Sequence, residues 1–272
     1  MKTYKFLIIL IIFGLFSCEV INPNEDIPSY IKINNFNVDE IGTAKITDAW
    51  VYIDNELQGI YELPNTIAIL KKDNQSLFIA PGIKENGISA SRKKYPFYVW
   101  HQEDIFLTPN DTITINPITT YRENCIHFED DFTTGTFFQN ELLPGLEIST
   151  DTTLMIGSGY GTAILDGSTP VFSCTSEPQN LPKDREVYME MDYKCNSEFY
   201  VNLYKFGPEY ALPVPVMLLN PKEDWNKIYI NLTNVISGES EILFSLSFFM
   251  LKDSTLTQSE LNIDNVKILY EE

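Results

Sequence analysis

The chain has 272 residues, of which 44% are apolar and 13% aromatic, and a formal net charge of −19 at pH 7. So acidic a body excludes nucleic acid, whose phosphates demand Lys and Arg, and excludes lying flat on an anionic membrane. The apolar and aromatic shares are those of a globular protein, with length for one large or two ordinary domains, and they exclude wholesale disorder.

The first element spans residues 1–17. Lys2 and Lys5 precede an apolar run from Phe6 to Phe16. A basic start followed by a short apolar segment is the pattern of a secretory signal peptide, and the run is shorter than the ~20 residues of a membrane span. Its end, Leu15-Phe16-Ser17-Cys18, resembles the lipobox of bacterial lipoproteins, with Phe16 in place of the usual small residue. The resemblance implies cleavage before Cys18, a fatty-acyl (palmitate) anchor on that thiol, and an outer-membrane lipoprotein exposed either to the periplasm or at the cell surface. Residues 18–28 read as the lipidated cysteine and a polar, proline-punctuated tether. Glu19, Glu25 and Asp26 there resemble the acidic surface-export signal of Bacteroidetes lipoproteins; an ordinary solvated linker is the other reading.

Residues 29–120 alternate short β-type runs with turn chemistry. The runs are Ala49–Ile53, Leu57–Tyr61, Thr66–Leu70, Ser76–Ala80 and Thr112–Ile115. Asp54-Asn55 and Asn110-Asp111 are expected as hairpin turns, and Pro81-Gly82 as a turn that closes its stretch. The run from Val51 to Gly59, with Leu63-Pro64 and Leu77 to Gly82, resembles a PEGA-like or carboxypeptidase-regulatory-like β-sandwich. That family has Asp-Gly at the first turn and a Gly before its later strand, where this chain has Asp54-Asn55 and Asp73-Asn74. The resemblance implies a small structural or adhesion module.

Residues 126–272 form the second expected domain. His127–Phe132, Gly157–Leu165, Asp224–Leu232 and Leu261–Leu269, in this order, resemble the jelly roll of carbohydrate-binding modules and galactose-binding-like domains. The resemblance implies that the opening acidic strand lies beside the closing Ile263-Asp264-Asn265-Val266 strand. It also implies a structural Ca²⁺ shared by the first and last strands, for which Glu129, Asp131 and Asp264 are the candidates; calcium takes hard oxygen ligands. Acidic residues that merely sit at strand ends are the alternative. The fold class expected for the whole chain is all-β, two sandwiches in series.

The sharpest local signal is an alternation. Val187, Met189, Met191, Tyr193 and Cys195 alternate with polar residues, and so do Phe199, Val201 and Leu203 after Asn196-Ser197-Glu198. A three-residue hairpin loop would set Cys195 opposite Phe199 and give one apolar inner face. The outer face would then carry Tyr188, Glu190, Asp192, Asn202 and Tyr204. Rings that stack on sugar C–H faces, together with carboxylates and an amide for the hydroxyls, make this the candidate ligand-binding set. The same side chains could instead face a neighbouring domain. Trp50, Trp100 and Trp225 read as core.

Catalysis finds no support in spacing: His101 and His127 neighbour no nucleophile motif, and no Gly-x-Ser-x-Gly, Walker loop or His-Glu-x-x-His occurs. Gly157-x-Gly159-x-Gly161 lacks the third-glycine spacing of a nucleotide fold. Beyond Cys18 the cysteines are Cys125, Cys174 and Cys195, which allow one disulfide and leave an odd thiol. Asp111-Thr112-Ile113, Asp151-Thr152-Thr153 and Asp253-Ser254-Thr255 resemble the O-glycosylation sequon of Bacteroidetes. The expected function is therefore a non-catalytic, lipid-anchored protein whose partner is a glycan; a structural subunit that binds an envelope protein is the alternative, and a glycoside hydrolase or lyase a third class.

Overall fold

Period-two alternation fills the chain with strands, and a single helical turn, Thr233–Ile236, is described. A computed structural model describes residues 25–38, 43–142, 144–151, 158–207, 210–238 and 242–272. The signal segment, Cys18, Glu19, Gly157 and Thr152-Thr153 lie outside the described residues. Among the described residues no helix is long and apolar enough to cross a membrane.

The first sandwich contains β1 (Ser29–Ile33), β2 (Asn37–Val38), β3 (Asp48–Ile53), β4 (Glu56–Glu62), β5 (Asn65–Ile69), β6 (Asp73–Lys84), β7 (Arg92–Lys94), β8 (His101–Leu107), β9 (Thr112–Ile115) and β10 (Ile118–Thr119). One sheet runs β5-β1-β9; the other runs β4-β3-β6-β7, with β8 also paired to β6, and β2 and β10 form a short parallel pair. Alternate side chains such as Ile31, Ile33, Val51, Ile53, Leu77, Ile79 and Ile115 fill the space between the sheets.

Asp54 and Asn55 both take positive φ, as a two-residue hairpin turn requires, and join β3 to β4. Two other turn expectations are corrected. Asn110 has positive φ, but β8 pairs with β6 and β9 pairs with β1, so Asn110-Asp111 carries the chain between sheets. Pro81-Gly82 lies inside β6, which pairs with β3 through both residues. The Pro81 nitrogen falls in the gap between the ladder to β8, which ends at Ile79, and the ladder to β7, which begins at Gly82. No donor is missed there, so a proline is tolerated.

The second sandwich contains β11 (Ile126–Asp130), β12 (Phe138–Asn140), β13 (Glu147–Ser149), β14 (Tyr160–Leu165), β15 (Val171–Ser176), β16 (Val187–Cys195), β17 (Phe199–Gly207), β18 (Tyr210–Leu219), β19 (Lys222–Asn231), β20 (Leu243–Leu251) and β21 (Ser259–Tyr270). One sheet runs β13-β14-β21-β16-β19, with β11 also on β21; the other runs β12-β15-β20-β17-β18. The opening strand β11 does lie antiparallel to the closing strand β21.

The expected β16–β17 hairpin is a correction of consequence. β16 pairs with β19 and β21, whereas β17 pairs with β18 and β20. Asn196-Ser197-Glu198 is an arch from one sheet to the other. The apolar sets still meet, because Met189, Met191, Tyr193, Phe199, Val201 and Leu203 all point into the core between the sheets. Fully burying each such side chain is worth roughly 1.5–3 kcal/mol. Their polar alternates therefore look out from opposite sides of the sandwich.

A third apolar cluster joins the two sandwiches: Ile83, Tyr95, Phe97, Tyr98 and Tyr121 from the first meet Tyr188, Tyr229 and Leu269 from the second. Tyr95 is its hub, with edge-on contacts to Phe97, Tyr98, Tyr188 and Tyr229. Cys125, Cys174 and Cys195 are buried free thiols.

Candidate functional site

The arch divides the predicted ligand set. Tyr188, Glu190 and Asp192 lie on the outer face of β16, which the first sandwich covers; all three are buried. Glu190 accepts hydrogen bonds from the Tyr95 hydroxyl on Oε1 and from the Tyr121 hydroxyl on Oε2 at 2.6 Å, and Lys227 Nζ sits 3.0 Å from Oε2. Asp192 accepts from Thr43 and from Asn265 Nδ2 at 3.2 Å. The Tyr188 hydroxyl donates to Glu85 and accepts from Asn231 Nδ2 at 3.1 Å. Burial, then the Glu190 charge, pushes the phenols of Tyr95 and Tyr121 well above the ordinary tyrosine value, and burial, then Tyr229, does the same for Tyr98, so they remain donors. These three predicted residues hold the sandwiches together and are closed to a ligand.

Asn202 and Tyr204 lie instead on the outer face of the β12-β15-β20-β17-β18 sheet. Along β17 this face carries Tyr200, Asn202, Tyr204 and Phe206. The register places Phe249, Ser247, Ser245 and Leu243 of β20 beside them in turn. Ser173 and Thr175 of β15 follow next to Phe249 and Ser247. Tyr200 packs on Phe249 with ring centroids 6.4 Å apart, and Tyr204 on Phe206 at 6.2 Å. Between the two ring pairs sits a polar strip. Glu141, just beyond β12, accepts from Ser173 Oγ at 2.7 Å and from Thr175 Oγ1 at 2.6 Å, which fixes its carboxylate on the strip. Burial, then the Glu141 charge, raises the Tyr204 phenol. Ser245 Oγ and Ser247 Oγ, both buried, have no hydrogen-bond partner among the described residues. Buried hydroxyls in native structures normally have one. Beyond Tyr200 the face opens into a groove of about 530 Å³ lined by Ser197, Glu198, Tyr200 and Asp253.

The sequence reading missed Phe249, Glu141 and the two serines, and left Tyr200, which the alternation puts on the same outer face, out of the ligand set. Tyr200 shares the parity of Asn202 and Tyr204 and was legible from that alone. Glu141 and the β20 residues become neighbours only through sheet order.

Of the calcium candidates, Glu129 is turned to Lys267, while Asp131 and Asp264 lie close enough for their charges to repel. Glu129 Oε1 pairs with Lys267 Nζ at 2.7 Å across the β11–β21 ladder. The Lys267 ammonium makes no hydrogen bond of good geometry there and lies 5.2 Å from the Tyr121 ring centre. Asp131 is exposed and accepts from the Thr133 N–H at 3.0 Å. Asp264 is buried beside Asp192, its register partner on β16. Among the described residues no group of three or more His, Cys, Asp or Glu could hold a metal ion. Asp130, between the candidates Glu129 and Asp131, orders the local turn: its carboxylate accepts the N–H groups of Phe132 and Phe137 and the Thr136 hydroxyl.

Trp100 is also corrected from core to surface, at 36% exposed; it stacks on Tyr52 at 5.4 Å, with Lys94 Nζ 5.1 Å from its ring centre. Trp50 and Trp225 are half-buried, Trp225 edge-on to Tyr160 at 5.6 Å. Thr112 and Ser254, the acceptors of two sequon-like tripeptides, are exposed.

No family profile matches the chain, and no curated protein does. Among solved structures, the chain is similar to a family 11 carbohydrate-binding module of Clostridium thermocellum in complex with a β-1,3-1,4-mixed-linked tetrasaccharide: 13% identity, 53% of this chain, 94% of that chain, TM-score 0.38. It is similar to a family 30 carbohydrate-binding module of a Clostridium thermocellum cellulosomal cellulase: 15% identity, 54% and 99% of the two chains, TM-score 0.40. It is similar to the K1 cleaved adhesin domain of Lys-gingipain from Porphyromonas gingivalis: 9% identity, 53% and 98%, TM-score 0.40.

Proposed function

We propose that this chain is a non-catalytic glycan-binding protein, and that its binding face is the outer surface of the β12-β15-β20-β17-β18 sheet. One observation carries the reading: two aromatic pairs, Tyr200 with Phe249 and Tyr204 with Phe206, flank a strip on which Ser173 and Thr175 fix the exposed Glu141 carboxylate, with the Asn202 amide between the ring pairs. Rings take the apolar faces of a pyranose, and fixed acceptors and donors take its hydroxyls. From Tyr200 to Tyr204 the strand advances about 13 Å at ~3.3 Å per residue, so the face suits a chain rather than a single sugar.

The lipobox-like Leu15 to Cys18 stretch supports an anchored, outer-membrane placement of this body. Cys18→Ser is then expected to move the protein from the membrane fraction to the soluble fraction. The glycan reading is tested with the full chain on a polysaccharide array and by affinity electrophoresis. Retention by at least one polysaccharide, lost in Tyr200→Ala and Tyr204→Ala with melting temperature preserved, is the expected result. Retention unchanged in both variants, or no retention by any polysaccharide, defeats it.

A further inference from the structure

A second cavity, of about 320 Å³, lies where the two sandwiches meet. The first sandwich supplies Lys45, which precedes β3, and Lys84 at the end of β6; the second supplies Lys222 and Lys227 of β19. Asn86, Asn220 and Asn226 add amides, and Ile88, Met217 and Ile228 add an apolar wall. Among the described residues that line it, none is Asp or Glu. That composition runs against a chain with a net charge of −19.

Two of the four cations are already matched. Lys227 is held by Glu190 behind the wall, and Lys84 Nζ lies 3.3 Å from Glu62. Lys45 and Lys222 make no ion pair among the described residues. Lys45 donates to Asn226 Oδ1, and its backbone N–H donates to the Tyr229 hydroxyl at 2.9 Å, which fixes it against the second sandwich. Burial, then repulsion from Lys222 and Lys84, lowers its ammonium pKa. Like charges are thus held toward one another with no counter-charge between them. A volume near the low end of the roughly 300–1,000 Å³ of small-molecule sites, and an apolar wall beside the charges, suit an organic molecule rather than a bare ion.

The geometry points to this cavity as a binding site for a small organic anion of about monosaccharide size, whose carboxylate or phosphate is held by Lys45 and Lys222. None of Tyr200, Asn202, Tyr204 or Phe249 lines it, and Leu218 is shared between its wall and the groove beyond Tyr200.

The test is calorimetry on the full chain with glucuronate, glucose 6-phosphate, glucose and inorganic phosphate at low salt. Glucuronate or glucose 6-phosphate is expected to bind with Kd below about 1 mM, more weakly as salt is added, and glucose is not. Which of the two binds identifies the anionic group. K45Q/K222Q is expected to weaken that binding about tenfold or more, and the single K222Q, on an exposed side chain, to weaken it in the same direction. Melting temperatures no lower than that of the unsubstituted chain show that both variants are folded. The proposal is overturned if neither organic anion binds at about 10 mM, if the substitutions leave binding unchanged, or if inorganic phosphate binds as tightly as the organic anions.

Discussion

Lys227 Nζ lies 3.0 Å from Glu190 Oε2, with both side chains withdrawn from water. Glu190 also accepts two phenolic hydroxyls from the first sandwich, so this pair anchors the seam between the sandwiches as well as one sheet. Removing one partner of such a pair leaves an uncompensated buried charge, at a cost of about 3–5 kcal/mol. Lys227→Met is expected to destabilise the protein by that amount in chemical denaturation. Glu190→Gln added to it should recover part of the loss, because the remaining buried charge is gone. A double variant no more stable than Lys227→Met would show that the pair is not what holds the seam.

Tyr188 and Tyr204, two members of one predicted set, are expected to behave oppositely. Tyr188 is fully buried between the sandwiches. Truncating a buried aromatic costs about 3–5 kcal/mol, so Tyr188→Ala should unfold at much lower denaturant and, where still folded, keep its glycan affinity. Tyr204 is half-exposed on the outer face. Tyr204→Ala should lose less than about 1 kcal/mol of stability and most of the glycan retention. Equal stability losses in the two variants would contradict the split between the sheets.

That split marks the limit of what the sequence could tell. The alternation of Val187 to Cys195 and of Phe199 to Leu203 identified every inward side chain correctly, because pleat parity depends only on the strand itself. It could not say which strand lies alongside. A three-residue link serves a hairpin or an arch, and both bury the same apolar set. The outer residues were read as one surface, whereas β16 and β17 face opposite ways. The β11–β21 pairing was legible from its motifs. The Glu129–Lys267 pair was not, since it follows from cross-strand register alone.

Gly82 is an instance of a glycine fixed by close approach. A Cβ built there would lie 2.8 Å from Asp48 Cβ and 3.0 Å from the Asp48 carbonyl oxygen, its partner on β3. The Asp48 carboxylate is itself buried and paired with Arg92, so it has little room to move. Gly82→Ala is expected to cost about 1–3 kcal/mol, the usual penalty of overpacking. A melting temperature unchanged by the substitution would mean that β3 and β6 separate at no cost.

Asp264 gives the stability of the second sandwich a pH dependence whose sign can be worked out. Burial pushes its carboxyl up to about 7, and repulsion from Asp192 and Asp131 adds to this, against the Asn265 N–H and Lys227, which favour the charge. In the unfolded chain the group titrates near 3.8. Between those values the folded protein keeps a proton that the unfolded chain has released. The contribution is therefore complete below about pH 4, is lost as pH rises, and is gone above about pH 7. Burial raises Asp192 as well, so the two carboxyls act in the same direction. Asp264→Asn keeps an Oδ1 to accept the Asn265 N–H, which Asp264 now does at 2.7 Å, and removes the charge. At pH 8 the variant should be more stable than the unsubstituted protein by on the order of 2 kcal/mol, and at pH 4 the two should be equal. Denaturant midpoints at pH 4, 6 and 8 measure this directly, and parallel pH profiles for the two proteins would mean that burial at Asp264 does not oppose its charge.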